Sequence, residues 1–370
     1  MRVREESAFS GEPTGEGSTG PVVEAAPGRK SERIPVLDGW RATSILLVLG
    51  AHLVPLGPHW MALNDAAGAA GMALFFTLSG FLITQFLAGG MAVGDFLARR
   101  LARILPLCWA ALIVLVLWHR YDAVTIIRNF LFVANLPPVS LLDGGEHLWS
   151  LGVEMQFYMS IALICAIFGR RGLYLVPILA LGVTSARIVA AEHISIVTWH
   201  RIDEILSGGI IALIHSGWFG ARAANAMKRL PIWPFAIALF ACSHPATGPL
   251  QYLRPYAAAL LVGASLSDCP ATLRRILVSR PMAYVAEVSY ALYVIHGVLS
   301  ATWLGSGDRM AKYLKRPLLF GATFLLAHVS TRYYEQPITR RVRDYTRSRR
   351  QRRAAATKAG PTSAASRPAG

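Results

Sequence analysis

Arg41 and His52 are the first residues in the sequence whose types and spacing suit chemistry. They are eleven positions apart in the apolar stretch LDGWRATSILLVLGAH. Eleven helical steps make three turns with about 20° left over, so both side chains share one face, roughly 16 Å apart along the axis. A histidine at that depth can act as a base or a nucleophile, because imidazole titrates near neutral pH. Asp38, three positions before Arg41, can cap the helix or pair with that arginine.

A second polar group lies in the segment HLWSLGVEMQFY. His147 and Glu154 are seven positions apart, and Ser150, Glu154 and Tyr158 follow one another at intervals of four, so they form a polar stripe on an apolar helix. A carboxylate inside a membrane needs a partner, and a histidine or arginine of another helix is the natural one. We therefore expect Glu154 to orient His52, as the acid of a catalytic triad does.

Arg100 and Arg103 lie in the segment FLARRLARILP and are neighbours on one helical turn. Guanidinium groups bind phosphate through two parallel hydrogen bonds, so the pair can hold a phosphorylated ligand. Ser79, Arg201 and His296 are weaker candidates, because each lies in or beside an apolar segment and can donate to a substrate or support the site.

Every one of these residues also has a structural interpretation. Arginines at the start of a helix are common anchors on the cytoplasmic side of a membrane, and a buried histidine or glutamate can simply bond to a neighbouring helix. The shared face of Arg41 and His52 favours the chemical interpretation, because ionisable groups in a bilayer cost about 3 kcal/mol or more and normally line a cavity.

The composition shows which elements must position these residues. The 370 residues are 54% hydrophobic and 16% charged, and the mean hydropathy is +0.43. These values exclude one or two ordinary soluble domains and indicate a membrane protein. The net charge of +16 does not indicate nucleic-acid binding, because the basic residues form short clusters between apolar stretches.

We predict an all-α transmembrane bundle of about ten spans. The basic clusters fall in alternate connections, which places both termini in the cytoplasm, although the basic loop 305–316 disagrees. The connection 119–149 contains an apolar stretch too short to span, which predicts an interfacial segment. The predicted spans are residues 37–57, 71–89, 102–118, 150–168, 172–190, 203–216, 231–243, 252–267, 286–304 and 317–334.

The chain then divides into three parts. Residues 1–33 and the basic segment 342–370 are expected to be disordered tails around a membrane domain at 34–341. The N-terminal sequence lacks the pattern of a removable signal peptide. The four cysteines show no paired spacing and predict neither a disulfide scaffold nor a metal site. Small-residue runs such as AAGAAG and SGG are typical of close helix packing.

Taken together, these motifs resemble the membrane acyltransferase-3 family, whose members O-acylate lipopolysaccharide, peptidoglycan, exopolysaccharides, Nod factors and macrolides. The resemblance covers about residues 34–341. The motifs occur in the family's order: LDGWRA with Arg41 and His52, FFTLSGFLI, RLAR before ILP, HLWSLGVEMQFY, RIDEILSGG, SYALYVIH and YYEQP.

The resemblance implies transfer of an acyl group, usually acetyl, from cytoplasmic acyl-CoA to a hydroxyl of a carbohydrate or macrolide-type acceptor. His52 would be the catalytic residue, as a base or as an acyl-carrying nucleophile. Arg41, Arg100 and Arg103 would bind the donor or shape its site. No bound cofactor is expected, acyl-CoA being a substrate, and the expected location is the plasma membrane.

Two other classes of protein fit some of these features. A transporter also has polar residues on several spans, but the sequence shows no evident inverted repeat and no pair of broken helices in matching halves. A non-catalytic assembly or sensor protein is the third interpretation, and it would tolerate loss of both His52 and Arg41.

Overall fold

The structure is a computed structural model that describes residues 34–267 and 269–358. Within these ranges the chain forms helices and no β-strand. The predicted tails at 1–33 and beyond 358 lie outside the described residues. The described helices are α1 Pro35–Leu53, α2 Leu63–Ala88, α3 Val93–Trp118, α4 Ala123–Phe130, α5 Trp149–Phe168, α6 Leu175–Val189, α7 Asp203–His215, α8 Gly220–Lys228, α9 Ile232–Ser243, α10 Arg254–Ser265, α11 Ala271–Leu277, α12 Arg280–Ser300, α13 Arg309–Val329 and α14 Gln336–Lys358.

Each of the ten predicted spans overlaps one of these helices. In the described part of the chain, four segments are long and apolar enough to cross a membrane: Leu63–Ala88, Val93–Trp118, Glu146–Val189 and Arg280–Ser300. Several of the other helices are short, and α9 and α10 have 12 residues each, against the roughly 20 that a perpendicular crossing needs. The all-helical membrane fold is confirmed, while the count of ten crossings and the position of the termini stay predictions.

Glycines allow the central helices to approach closely. α2 packs against both α1 and α7. A Cβ at Gly80 would overlap the carbonyl oxygen of Ile205, and one at Gly208 would overlap that of Thr77. Only glycine fits where two helix backbones touch in this way. The predicted packing role of the small-residue run SGG is therefore confirmed at Gly208.

The connection between α3 and α5 folds back against the bundle. Its helix α4 has eight residues, too few to span, in agreement with the expected interfacial segment. Arg128 donates to the carbonyl oxygens of Val133 and Leu136 at 3.1 and 2.6 Å. Asn135 donates to the carbonyl oxygen of Ile196 at 3.0 Å. These bonds satisfy the irregular backbone that a buried connection would otherwise leave unpaired.

The segment after residue 341 differs from the expected disordered tail. It continues as α14 to Lys358, and Arg99 donates to the hydroxyl of Thr346 at 2.9 Å, which ties α14 to α3. The segment is rich in arginine and alanine, which favour helix, and it has no glycine or proline between Pro337 and Lys358. Absence of apolar periodicity was therefore a poor guide to disorder here.

Candidate active site

Two adjoining pockets lie inside the bundle, and α1, α2, α5 and α12 contribute to both. The first, here the arginine pocket, has an empty volume of about 690 Å³. The second, here the histidine pocket, has an empty volume of about 1330 Å³. The polar lining of the arginine pocket includes Arg41, Ser79, Arg100, Arg103, Glu154 and Tyr158. The histidine pocket is lined by His52, Glu146, His147 and His296 among others.

Three buried side chains separate the pockets. Val48, Met72 and Tyr293 each line both pockets, and we call them the partition. Arg41 lies on the arginine side of Val48 and His52 on the histidine side. The predicted shared face of α1 is thus found, but the two residues face neighbouring pockets rather than one chamber.

The arginine pocket gathers three half-buried guanidinium groups from α1 and α3. Arg41 Nη1 lies 3.1 Å from Asp38 Oδ1, which is the pairing that the sequence suggested. The guanidinium of Arg100 lies over the ring of Tyr158, 5.7 Å from its centroid. Aromatic rings beneath a guanidinium hold its plane while its N–H groups stay available to a ligand.

Glu154 lies in the arginine pocket and not beside His52. Its side chain is buried, and Oε1 accepts a hydrogen bond from the hydroxyl of Ser79. The structure therefore corrects the expectation that Glu154 orients His52. The reason is depth in the bundle. Glu154 lies seven residues, about two helical turns, beyond His147, whereas His52 lines the same pocket as His147.

Three imidazoles cluster in the histidine pocket. His52 Nδ1 lies 3.0 Å from His296 Nε2, and the two ring planes are nearly parallel, at 9°. The ring centroid of His147 lies 4.8 Å from that of His296, and His147 Nε2 is 3.2 Å from the carbonyl oxygen of Val294. Gly297 leaves the space for His147, because a Cβ there would overlap its ring. His52 itself is exposed to the pocket.

Ser150 supports the partition rather than lining a pocket. Its hydroxyl lies 2.6 Å from the hydroxyl of Tyr293, which also donates to the carbonyl oxygen of His147. Tyr293 was not among the predicted site residues. Its position three residues before His296, and so on the same face of α12, was the signal for a larger role.

Arg201 does not line either of the two pockets. It is 2% exposed, its guanidinium lies 3.4 Å from Glu204, and it also covers the ring of Trp149, 5.5 Å from the centroid. Glu204 pairs in turn with Arg254 at 2.8 Å. Arg201, one of the weaker candidates, is thus part of a buried ion-pair network and does not line either pocket.

Glu146 and Tyr290 are two further pocket residues that were not among the predicted site residues. Glu146 is exposed and lines the histidine pocket, and its place directly before His147 was the available signal. Tyr290 lines the arginine pocket and donates to the carbonyl oxygen of Ile104 at 2.6 Å. Among the described residues, no group of three or more histidines, cysteines or acids is arranged to hold a metal ion.

Comparison with known proteins decides the family. The acyltransferase-3 profile, described as an acyltransferase domain, matches residues 34–330. The chain belongs to the acyltransferase-3 family. This acyltransferase-3 chain is 24% identical to the peptidoglycan O-acetyltransferase OatA of Listeria monocytogenes, over 82% of this chain and 56% of the relative. It is 26% identical to the putative peptidoglycan O-acetyltransferase YrhL of Bacillus subtilis, over 85% of this chain and 56% of the relative.

A third relative of this acyltransferase-3 chain is a putative O-acetyltransferase of Staphylococcus aureus (strain COL). It is 29% identical over 37% of this chain and 25% of the relative. The chain spans just over half the length of the first two relatives. No solved structure matches it.

Proposed function

We propose that this chain is a plasma-membrane O-acyltransferase that moves an acyl group, normally acetyl, from acyl-CoA to a hydroxyl group of an acceptor. The observation that supports it best is the pair of adjoining pockets, one rich in arginine and one rich in histidine, which share the partition residues in their linings. An anionic donor suits the first pocket, and the imidazoles of the second suit a hydroxyl that must lose a proton.

The donor binds with its phosphates on Arg41, Arg100 and Arg103. These guanidiniums are only half-buried, so the diphosphate and the ribose phosphate of CoA reach them without complete loss of solvent. The acyl-pantetheine arm extends along α1 towards the partition. Eleven helical residues rise roughly 16 Å between Arg41 and His52, and an extended arm of this kind covers such a distance.

His52 performs the transfer by one of two routes. As a base, it takes the proton of the acceptor hydroxyl, whose oxygen attacks the thioester carbonyl; the C–S bond breaks and the proton passes to the CoA thiolate. As a nucleophile, its nitrogen attacks the carbonyl, the C–S bond breaks and the CoA thiolate leaves. The acceptor oxygen then displaces the histidine and forms the ester; the hydroxyl proton passes to solvent, from which the thiolate takes up a proton. The second route fits the partition better, because only the acyl group has to pass it.

The acceptor binds in the histidine pocket. That pocket is the larger of the two, and His52 and Glu146 are exposed within it. A carbohydrate of the cell envelope is the favoured acceptor class, because the relatives are named as peptidoglycan O-acetyltransferases. A macrolide-type acceptor is the alternative. Mass spectrometry of envelope glycans and of small metabolites, from cells with and without the gene, distinguishes the two acceptor classes.

The test uses purified protein in lipid nanodiscs with acetyl-CoA labelled in the acetyl group. Wild-type protein should hydrolyse acetyl-CoA slowly and transfer the label faster when peptidoglycan fragments are added. His52→Ala should lower the transfer rate by about 10² to 10⁴-fold, the usual contribution of a catalytic base. His59→Ala is the matched control, because His59 is exposed and lies outside both pockets.

Three results would contradict the proposal. Full activity of a folded His52→Ala protein would exclude His52 as the catalytic residue. Equal losses in His52→Ala and His59→Ala would indicate a general effect of removing histidine. Uptake of a glycosylated solute into proteoliposomes without any use of acetyl-CoA would indicate a transporter instead.

A further inference from the structure

The side chain of His296 is buried, and both ring nitrogens have neighbours. Nδ1 lies 2.6 Å from the carbonyl oxygen of Tyr293 and 3.2 Å from that of Leu292. A carbonyl oxygen only accepts hydrogen bonds, so Nδ1 of His296 must hold a proton and donate it. The backbone of α12 therefore fixes which nitrogen of this imidazole is protonated.

The same argument extends to His52. A neutral imidazole has a single N–H, so Nε2 of His296 presents a lone pair towards His52 Nδ1, 3.0 Å away. His52 must then donate from Nδ1. Its own proton is used in that bond, and Nε2 of His52 is left with a free lone pair.

His296 is held in the neutral state by its surroundings. It is 1% exposed, and its ring neighbours are the imidazoles of His52 and His147 and the phenol of Tyr293. A second proton on His296 would place a desolvated charge beside two other bases. Glu146, the carboxylate that lines the same pocket, is exposed rather than paired with His296 in the described structure.

We infer that His296 is a positioning residue, which holds His52 in the tautomer whose Nε2 lone pair reacts. This inference rests on the proposed function. In the acyl-histidine route, Nε2 of His52 forms the bond to the acyl carbon, the C–S bond breaks and the thiolate leaves. The ring then has a positive charge, and its Nδ1–H remains bonded to His296. In the base route, Nε2 takes the proton of the hydroxyl and the same bond remains. A carboxylate has this role in the familiar triads.

Two substitutions separate positioning from packing. Glutamine at position 296 places a carbonyl oxygen near the present Nε2 and can accept from His52, whereas leucine cannot. We expect His296→Leu to lower kcat for acetyl transfer about 100-fold and His296→Gln to stay within about tenfold of wild type. The KM for acetyl-CoA should not change in either protein, because the arginine pocket is not altered. Thermal unfolding of each variant checks that it is folded.

A spectroscopic measurement tests the tautomer without donor or acceptor. The protein is labelled with ¹⁵N-histidine and placed in nanodiscs for NMR. The signals of His52 are those that are missing from the spectrum of His52→Ala. We expect a protonated Nδ1 and an unprotonated Nε2 at His52 in wild type and in His296→Gln, and a mixture of tautomers in His296→Leu.

The outcomes separate this inference from the function on which it rests. A protonated Nε2 at His52 in wild type, or equal kcat values for folded His296→Gln and His296→Leu, would overturn the inference alone. If wild-type protein shows the predicted tautomer of His52 but transfers no acyl group, the proposed function is wrong. His296 then has no role in catalysis.

Discussion

Arg41, Arg100 and Arg103 reach one pocket from two helices, although Arg41 is about sixty positions from the other two in the sequence. Charge-assisted hydrogen bonds contribute about 1.5–3 kcal/mol each, which corresponds to roughly 10- to 100-fold in affinity. If the three arginines bind phosphate, replacing one of them must weaken binding only of ligands that contain phosphate.

We therefore expect Arg100→Gln to raise the KM for acetyl-CoA at least about tenfold and to leave that for S-acetylpantetheine nearly unchanged. S-acetylpantetheine has the same thioester and no phosphate, so steady-state kinetics with both donors isolates the charge contact. Arg171→Gln is the matched control, since Arg171 is exposed and lies outside the pocket. Equal effects on both donors would show that Arg100 only shapes the pocket.

Glu154 provides a second test at the residue scale. It accepts from Ser79 inside the arginine pocket and does not contact His52. Glutamine in its place keeps an acceptor for Ser79, whereas leucine leaves the hydroxyl of Ser79 without a partner. We expect Glu154→Gln to keep the ¹⁵N signals of His52 unchanged, and Glu154→Leu to lower the free energy of unfolding by about 1–3 kcal/mol. A changed His52 tautomer in Glu154→Gln would instead support the direct pairing of Glu154 with His52 that the sequence predicted.

At the scale of elements, the contact between α2 and α7 determines how closely the pocket walls approach. α2 supplies Ser79 to the arginine pocket and Met72 to the partition, and its Gly80 touches the backbone of α7 at Ile205. A methyl group at that point meets a main-chain carbonyl, which cannot rotate away as a flexible side chain can.

We expect Gly80→Ala to destabilise the protein by about 1–3 kcal/mol, the usual cost of overpacking, and to lower acyl transfer as α2 and α7 separate. Thermal unfolding in detergent and the transfer assay measure the two effects. Gly182→Ala is the control, because Gly182 lies within α6 with nothing near the position of a Cβ, and alanine there should be neutral or slightly stabilising. Similar losses in both variants would contradict the packing argument.

At the scale of the whole molecule, buried ion pairs join helices that do not themselves line the pockets. Arg187 of α6 lies 2.6 Å from Asp203 of α7, and both side chains are 0% exposed. Glu204 of α7 binds Arg254 of α10. Breaking a buried pair leaves an uncompensated charge in a medium that solvates it poorly, and such a change costs about 3–5 kcal/mol.

We expect Asp203→Ala to lower the free energy of unfolding by about 3–5 kcal/mol and to reduce the yield of folded protein. Combining Asp203→Leu with Arg187→Met should recover much of this loss, since no isolated charge remains. Asp65→Ala, at an exposed carboxylate near the start of α2, should have little effect. An unchanged unfolding midpoint in Asp203→Ala would show that the pair contributes nothing net.

Much of this arrangement was determined by local sequence. The period of an α-helix is fixed, so the spacing of Arg41 and His52 determined that they share a face of α1, and the structure places them on either side of Val48. Apolar composition determined the membrane fold, and the order of the motifs identified the family. The same reasoning failed after residue 341, because helix propensity without an apolar stripe was interpreted as disorder.

Only the tertiary structure decided which residue faces His52. Helical spacing gives the direction of a side chain on its own helix, but not the level or rotation of the helix opposite. The sequence favoured Glu154 as the neighbour of His52, and helix packing instead places His296, 244 positions away, beside it. The division into two pockets has the same origin, because Val48, Met72 and Tyr293 meet only when α1, α2 and α12 are packed together.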